Sequence, residues 1–206
     1  VNNHRGGSVL LDEPHLMRDI ISAVRDKTPN HIPVSAKIRL GYTDTSNLQD
    51  IRSAIADSGA DWLTIHARTK TQGYKPPAYW EKIISFTELP IPVIANGEIW
   101  NHDHALRCSA QSSTPHLMLG RGAVTRPDLV AQIENPNIIL PWQSLIAHQI
   151  AFLQGEAKSD LALIGRYKQW LGMLSKGYVE AKELWEDIKR VRDKQSIMDK
   201  LQAQIV

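Results

Sequence analysis

Cysteine is almost absent from this 206-residue sequence: there is one, Cys108. That scarcity excludes a disulfide framework and any multi-cysteine zinc or iron–sulfur site. Phenylalanine is nearly as rare, with two residues against six tryptophans. No apolar run approaches the ~20 residues of a membrane span and no signal-peptide pattern is visible, so the chain reads as cytoplasmic. Charge of one sign is lacking too, with 24 Lys and Arg against 22 Asp and Glu, a net +2. So small an excess does not establish nucleic-acid binding, which shows as a clustered basic face. The excess lies after residue 135, where ten basic residues meet eight acidic ones, while the first 135 residues balance at fourteen each. With 42% apolar and 22% charged residues, the composition excludes disordered, collagen-like and coiled-coil classes. Val1 stands where an initiator methionine would be.

What is present is an alternation of strand and helix signals. Asp12-Glu13-Pro14 opens a helix whose Leu16, Met17, Ile20, Ile21 and Val24 follow the helical period. Pro33 to Leu40 reads as a strand. Thr45 or Ser46 caps a second helix through Leu48, Ile51 and Ile55, ended by Gly59. Trp62-Leu63-Thr64-Ile65, Pro92 to Ala95 and His116 to Leu119 supply three more strands, with helices at Trp80 to Phe86, from Asn101, and from Pro127 to Ile133. Strands spaced ~25–30 residues apart with helices between them imply right-handed crossovers and a parallel sheet, its short apolar strands covered on both faces. A (β/α)8 barrel and an open doubly wound sheet both fit; four units are half of a barrel that takes ~250 residues. With no methionine at the start, the chain reads as a fragment lacking an N-terminal half. From residue 136 only helices follow, marked by Leu145, Ile146 and Leu153, then Ile164, Tyr167 and Leu171, then Leu184 and Ile188, then Ile197 and Leu201. The organisation expected is therefore an α/β part over 1–135 and a small all-α bundle over 136–206, with Trp142 and Trp185 in the bundle core.

Each strand ends in polar residues: Lys37 and Arg39, His66 and Arg68, Asn96-Gly97-Glu98, and Gly120-Arg121-Gly122. Strand C-termini build the active site of a barrel, so these side chains would converge there. Asn96-Gly97 and Gly120-Arg121-Gly122 suit a phosphate cradle, because glycine lets backbone N–H groups approach an anion and arginine binds two phosphate oxygens. Metal chemistry has little support, since His102 and His104 lie two apart on a helix with no completing carboxylate. Cys108 falls on the apolar stripe of its helix and reads as a core residue.

Taken in order, the runs Val34-Ser35-Ala36-Lys37-Ile38-Arg39-Leu40-Gly41, Thr64-Ile65-His66-Ala67-Arg68-Thr69, Ile94-Ala95-Asn96-Gly97-Glu98-Ile99 and Met118-Leu119-Gly120-Arg121-Gly122-Ala123 resemble the tRNA-dihydrouridine synthases, as does His4-Arg5-Gly6-Gly7-Ser8 near the start. Arg166-Tyr167-Lys168-Gln169-Trp170-Leu171 resembles the helical-domain signature of the DusC subfamily, which acts on uridine 16 of the tRNA D-loop. The resemblance implies the C-terminal half of a (β/α)8 TIM barrel followed by a helical tRNA-binding domain. It implies FMN at the barrel mouth, reduced by NADPH, with hydride passed to a uracil ring. By carry-over, Lys37 and His66 contact the isoalloxazine, and Asn96, Gly97, Glu98, Gly120 and Arg121 hold the ribityl phosphate. Arg39, Arg68 and Tyr74 face the substrate, and Arg166, Lys168 and Lys189 face tRNA, Lys189 standing where the subfamily has arginine. The family's cysteine acid belongs to an Asn-x-Gly-Cys-Pro segment that lies ahead of the His4-Arg5 run and is absent here. The resemblance therefore implies that this chain is inactive alone, with no catalytic residue of its own. Its missing half would be supplied separately or by a swapped dimer.

Two other readings stay open on the residues: a small-molecule FMN barrel oxidoreductase, and a non-catalytic tRNA-binding remnant. A separate basic helical tail favours an RNA substrate over a small one.

Overall fold

The computed structural model describes residues 6–205; His4 and Arg5 of the first resembling run lie outside them. By internal contacts the chain forms two compact units, one of residues 1–99 with 103–120 and the other of 100–102 with 121–206.

The first unit is built on a four-stranded parallel sheet in the order β1-β2-β3-β4. Its strands are β1 (Ser35–Arg39), β2 (Trp62–His66), β3 (Val93–Asn96) and β4 (Leu117–Met118). Helices α1 (Pro14–Lys27), α2 (Leu48–Ala56) and α3 (His102–Ser112) accompany them; Trp80–Phe86 is a 3-10 helix, tighter than the α-helix expected there. Another 3-10 helix, Gly7–Asp12, precedes α1. Thr45 and Ser46 do not cap α2, whose N-cap is Asn47; the Asp44 carboxylate instead accepts from the Ser46 amide and hydroxyl. Gly59 does turn the chain after α2, at φ +76°.

Coverage of the sheet is uneven. Strand β2 is buried on both faces, as expected, but β1 alternates, exposing Ser35 and Lys37 while Ala36 and Ile38 go inward. The apolar stripe of α1 is real, yet of it only Met17 is buried; Leu16, Ile20 and Val24 stay exposed. A cavity of about 410 Å³ opens beside β1, lined by Leu10, Leu11, Met17, Ile20 and Ile38 among others. Among the described residues, β1 has a sheet neighbour on one side only.

The second unit is helical. Where one helix was expected after β4, two short ones occur, α4 (Arg121–Thr125) and α5 (Leu129–Glu134). Then come α6 (Gln143–Gln154), α7 (Asp160–Leu174), α8 (Val179–Ile188) and α9 (Lys194–Gln202). These four pack on one apolar core that includes Trp142, Leu145, Tyr167, Leu171, Leu184 and Leu201, with Trp185 partly buried against it. Two helix starts are capped as their sequences require: Ser159 accepts from the Ala162 amide and Asp193 from the Ser196 amide. His102, two residues from His104, turns Nδ1 to the carbonyls of Gln132 and Ile133 at the end of α5.

Cys108 is fully buried on α3, and burial pushes its thiol up to about 12. A thiol that is neither ionised nor accessible does not react. Native protein treated with a thiol-disulfide reagent at pH 8 should therefore show no labelling, with one equivalent reacting on unfolding in urea. Rapid labelling of the folded chain would contradict this placement.

Candidate active site

Parallel registration fixes which strand ends meet. Arg39 of β1 lies opposite His66 of β2, and His66 lies opposite Asn96 of β3. Lys37 and Arg39 do share a face of β1, as the alternation of a strand requires. The Lys37 ammonium reaches across the sheet to Asn96 Oδ1 at 3.4 Å, a long contact that leaves most of its donors unused. Partial burial, and then the Arg39 guanidinium, hold Lys37 below the usual lysine range. Asn96 in turn donates Nδ2 to the Met118 carbonyl at 2.7 Å, tying β3 to β4 and fixing which end of its amide faces Lys37.

Gly97 follows at φ +120°, a backbone conformation that suits glycine alone. A Cβ there would stand 2.9 Å from His66 Cδ2, so its lack of a side chain lets the loop close over the imidazole. Trp80 holds the same residue from outside, Nε1 donating to the Gly97 carbonyl at 2.8 Å. Glu98 then takes φ +54°, unusual for a residue with a side chain.

Arg68 is placed otherwise than its resemblance implies. It is 0% exposed and does not present itself to a substrate. Its Nη2 lies 2.9 Å from Glu98 Oε1, its Nε donates to the Pro77 carbonyl at 3.0 Å, and its Nη1 stands 3.4 Å from His66 Nε2. A guanidinium can only donate, so the imidazole nitrogen facing it is an acceptor. Arg68 thus joins three segments beneath the site, and Glu98 is its counter-ion.

Arg39 is also committed locally. Its Nη1 donates to the carbonyls of Thr69 and Gly73, both at 3.0 Å, pinning the loop after β2. That loop carries Tyr74, which is 63% exposed, 5.8 Å between ring centroids from His66, with the Arg39 guanidinium 5.3 Å from its own ring centre. A fixed aromatic face beside the strand ends is suited to stacking a flat ring.

Gly120, exposed, ends the segment after β4 in the first unit, and Arg121 begins α4 in the second, its guanidinium 5.0 Å above the Trp100 ring. The structure therefore brings together Lys37, Arg39, His66, Asn96, Gly97 and Tyr74 in one unit, with Arg68 and Glu98 below them. Arg166 lies on the exposed side of α7. Lys168 donates Nζ to the carbonyls of Lys189 and Val191 at 3.0 and 2.7 Å, and Lys189 pairs with Glu186. Trp80 and Arg39's loop contacts escaped sequence reasoning, because each depends on a carbonyl far along the chain.

The sequence is similar to those of known proteins. Residues 1–205 match the family described as dihydrouridine synthase (Dus). The chain belongs to that family. It is 42% identical over 202 residues to the tRNA-dihydrouridine(16) synthase of Shewanella oneidensis, covering 96% of this chain and 64% of that protein. To the protein of the same name in Pseudomonas syringae pv. tomato it is 43% identical, covering 94% and 63%, and to that of Neisseria meningitidis serogroup B 40%, covering 94% and 61%. The likeness within the family is thus to the tRNA-dihydrouridine(16) synthases. The chain spans somewhat less than two thirds of the length of these curated relatives.

Proposed function

We propose that this chain is part of an FMN- and NADPH-dependent tRNA-dihydrouridine synthase that reduces a D-loop uridine, U16, to 5,6-dihydrouridine. The observation that carries the reading is the set His66 and Asn96 at the C-terminal ends of adjacent parallel strands with Lys37 reaching Asn96 from the middle of β1, on a chain of this family. In that reading the sheet and its helices are four βα units of an eight-fold barrel, and 136–206 is the helical tRNA-binding part.

The residues suit a flavin. Lys37 offers an exposed, under-used cation beside an amide oxygen, and a cation is what a ring bearing negative charge on reduction requires. Gly97 carries no side chain, and Tyr74 gives a flat face next to His66. Lys37, His66, Asn96 and Gly97 would hold the isoalloxazine and the adjoining chain; Glu98, drawn down to Arg68, shapes the loop; Gly120 and Arg121 remain the proposed phosphate contacts. FMN, when bound, would carry hydride from NADPH to the uracil ring. Lys37 supplies charge, Asn96 orients Lys37, and Arg39 holds the Tyr74 loop where an extruded base must enter, since a base is reached only after leaving its stack.

Proton delivery to the uracil calls for an acid, and the thiol of Cys108 is buried and held protonated. We propose accordingly that this chain alone neither retains flavin tightly nor turns over tRNA, the remaining third of the relatives' length supplying those elements and covering the free edge of β1. FMN titration followed by flavin fluorescence, with single-turnover assay on unmodified tRNA, tests the reading. Lys37→Met should weaken FMN binding about tenfold or more, the worth of a charge-assisted hydrogen bond. Equal affinity for FMN in wild type and Lys37→Met would remove Lys37 from the site. Turnover by the isolated chain would overturn the proposed incompleteness.

A further inference from the structure

The turn after α8 is a basic segment held in place from within. Residues 189–194 read Lys-Arg-Val-Arg-Asp-Lys, four basic residues to one acid. Ile188 is fully buried and Val191 packs partly against the helical core, while Lys189, Arg190 and Arg192 are exposed. The apolar pair anchors the segment and the arginines project from it.

The charges nearby are not equally available. Lys189 pairs with Glu186, and Lys194 with Asp160. Asp193 is engaged as the cap of α9, accepting from the Ser196 amide and hydroxyl at 2.7 Å each. Arg190 and Arg192 have neither a hydrogen-bond nor an ion-pair partner among the described residues. Lys168 comes from α7 to donate to the Lys189 and Val191 carbonyls, which bracket Arg190. Its ammonium, held low first by partial burial and then by the Arg192 charge, is fixed close to Arg192 rather than free to reach outward.

We propose that Arg190 and Arg192 are phosphate contacts for the RNA substrate, and that Lys168 is a positioning residue that fixes the backbone presenting them. The proposal rests on the tRNA reading above. Two unpaired guanidinium forks suit phosphate oxygens, which they bind through parallel N–H donors. The exposed positions that flank them in the chain, Lys189, Asp193, Gln195 and Ser196, are polar, as a phosphate-facing segment requires.

Binding of unmodified tRNA to the full chain, measured by anisotropy across a salt series, tests both parts. Arg190→Ala/Arg192→Ala should bind about tenfold more weakly near 0.1 M salt, and the slope of log affinity against log salt should shrink by about 1.4–1.8. A control losing equal charge elsewhere, Lys158→Ala/Lys200→Ala, should keep most of the wild-type slope. Lys168→Met should weaken binding while raising amide hydrogen exchange at 189–192, a readout that a direct contact would not move. A double arginine variant indistinguishable from the control would overturn the contact assignment although tRNA still binds. Loss of about one slope unit in Lys168→Met with unchanged exchange would make Lys168 itself the contact. Absence of tRNA binding by the wild type would bring down the substrate reading and this inference together.

Discussion

Glu98→Ala should destabilise the protein by about 3–5 kcal/mol, the usual consequence of removing one partner from a buried ion pair. The asymmetry of the pair decides this. Arg68 is 0% exposed and Glu98 is 18% exposed in their side chains, so removing the acid strands a cation that water cannot reach. Its remaining partners are the Pro77 carbonyl and a long contact to His66, neither of which carries opposite charge. Glu98→Gly makes a sharper comparison. It also loses the carboxylate, but glycine accepts the φ of +54° without the ~1 kcal/mol that a side chain pays there, so it should be the milder variant. Arg68→Met should be milder still, because it leaves an apolar side chain in an enclosed site and a carboxylate that retains some water. Urea unfolding of the three variants should rank them Glu98→Ala, Glu98→Gly, Arg68→Met in decreasing loss. Stability of Glu98→Ala within 1 kcal/mol of wild type would mean that the pair contributes little.

The same pair shows where sequence reading reached its limit. Every strand was legible from short apolar runs at crossover spacing, and the polar residues ending each strand marked the site. His66 and Arg68 read, like Lys37 and Arg39, as polar strand-end residues converging on the site. The difference lies past the strand: β2 ends at His66, and Arg68 falls in the bend after it, where the Pro77 carbonyl and Glu98 enclose it. What closes over a residue past a strand's end is a property of the assembled fold, absent from a five-residue pattern. Lys168 fails to declare itself for a related reason. A lysine on a helix reads as a solvated or RNA-facing charge, and only the packing of α7 against the end of α8 supplies the two carbonyls that occupy it. By contrast, Cys108 was readable as core because the helical period alone places it on the apolar stripe. Local periodicities survive into the fold; commitments to distant backbone carbonyls do not appear until the chain is assembled.

Asp128 has no periodic signature at all, yet its replacement should rival Glu98→Ala in effect. Its side chain is 3% exposed and accepts four hydrogen bonds: from Arg126 Nε and Nη2 at 2.9 and 2.6 Å, Gln132 Nε2 at 3.0 Å and the Leu140 amide at 2.8 Å. Through Arg126 it reaches the Gly177 carbonyl, and the guanidinium lies 4.5 Å from the Tyr178 ring centre. One carboxylate thus links α5, the segment leading into α6 and the turn between α7 and α8. Asp128→Ala should cost about 3–5 kcal/mol, leaving a buried amide unpaired and a half-buried guanidinium without its counter-ion. Asp128→Asn should recover little, since its amide turns a donor toward groups that are all donors. Burial by itself would raise the Asp128 pKa, but the Arg126 bonds and the Leu140 amide outweigh it and hold the carboxyl below its ordinary value. The stabilisation is therefore complete above the ~3.9 of the unfolded chain and fades as pH falls through the lower folded value. Urea unfolding from pH 7 down to 3 should show the gap between wild type and Asp128→Asn closing only at the acid end, while a gap constant with pH would assign the loss to packing rather than charge. Gly177→Ala probes the same junction sterically, because its Cβ would stand 2.4 Å from the Thr125 carbonyl oxygen and 2.7 Å from Arg126 Cδ. Arg126 cannot move aside without releasing Asp128, so combining Gly177→Ala with Asp128→Asn should cost less than the sum of the two single losses.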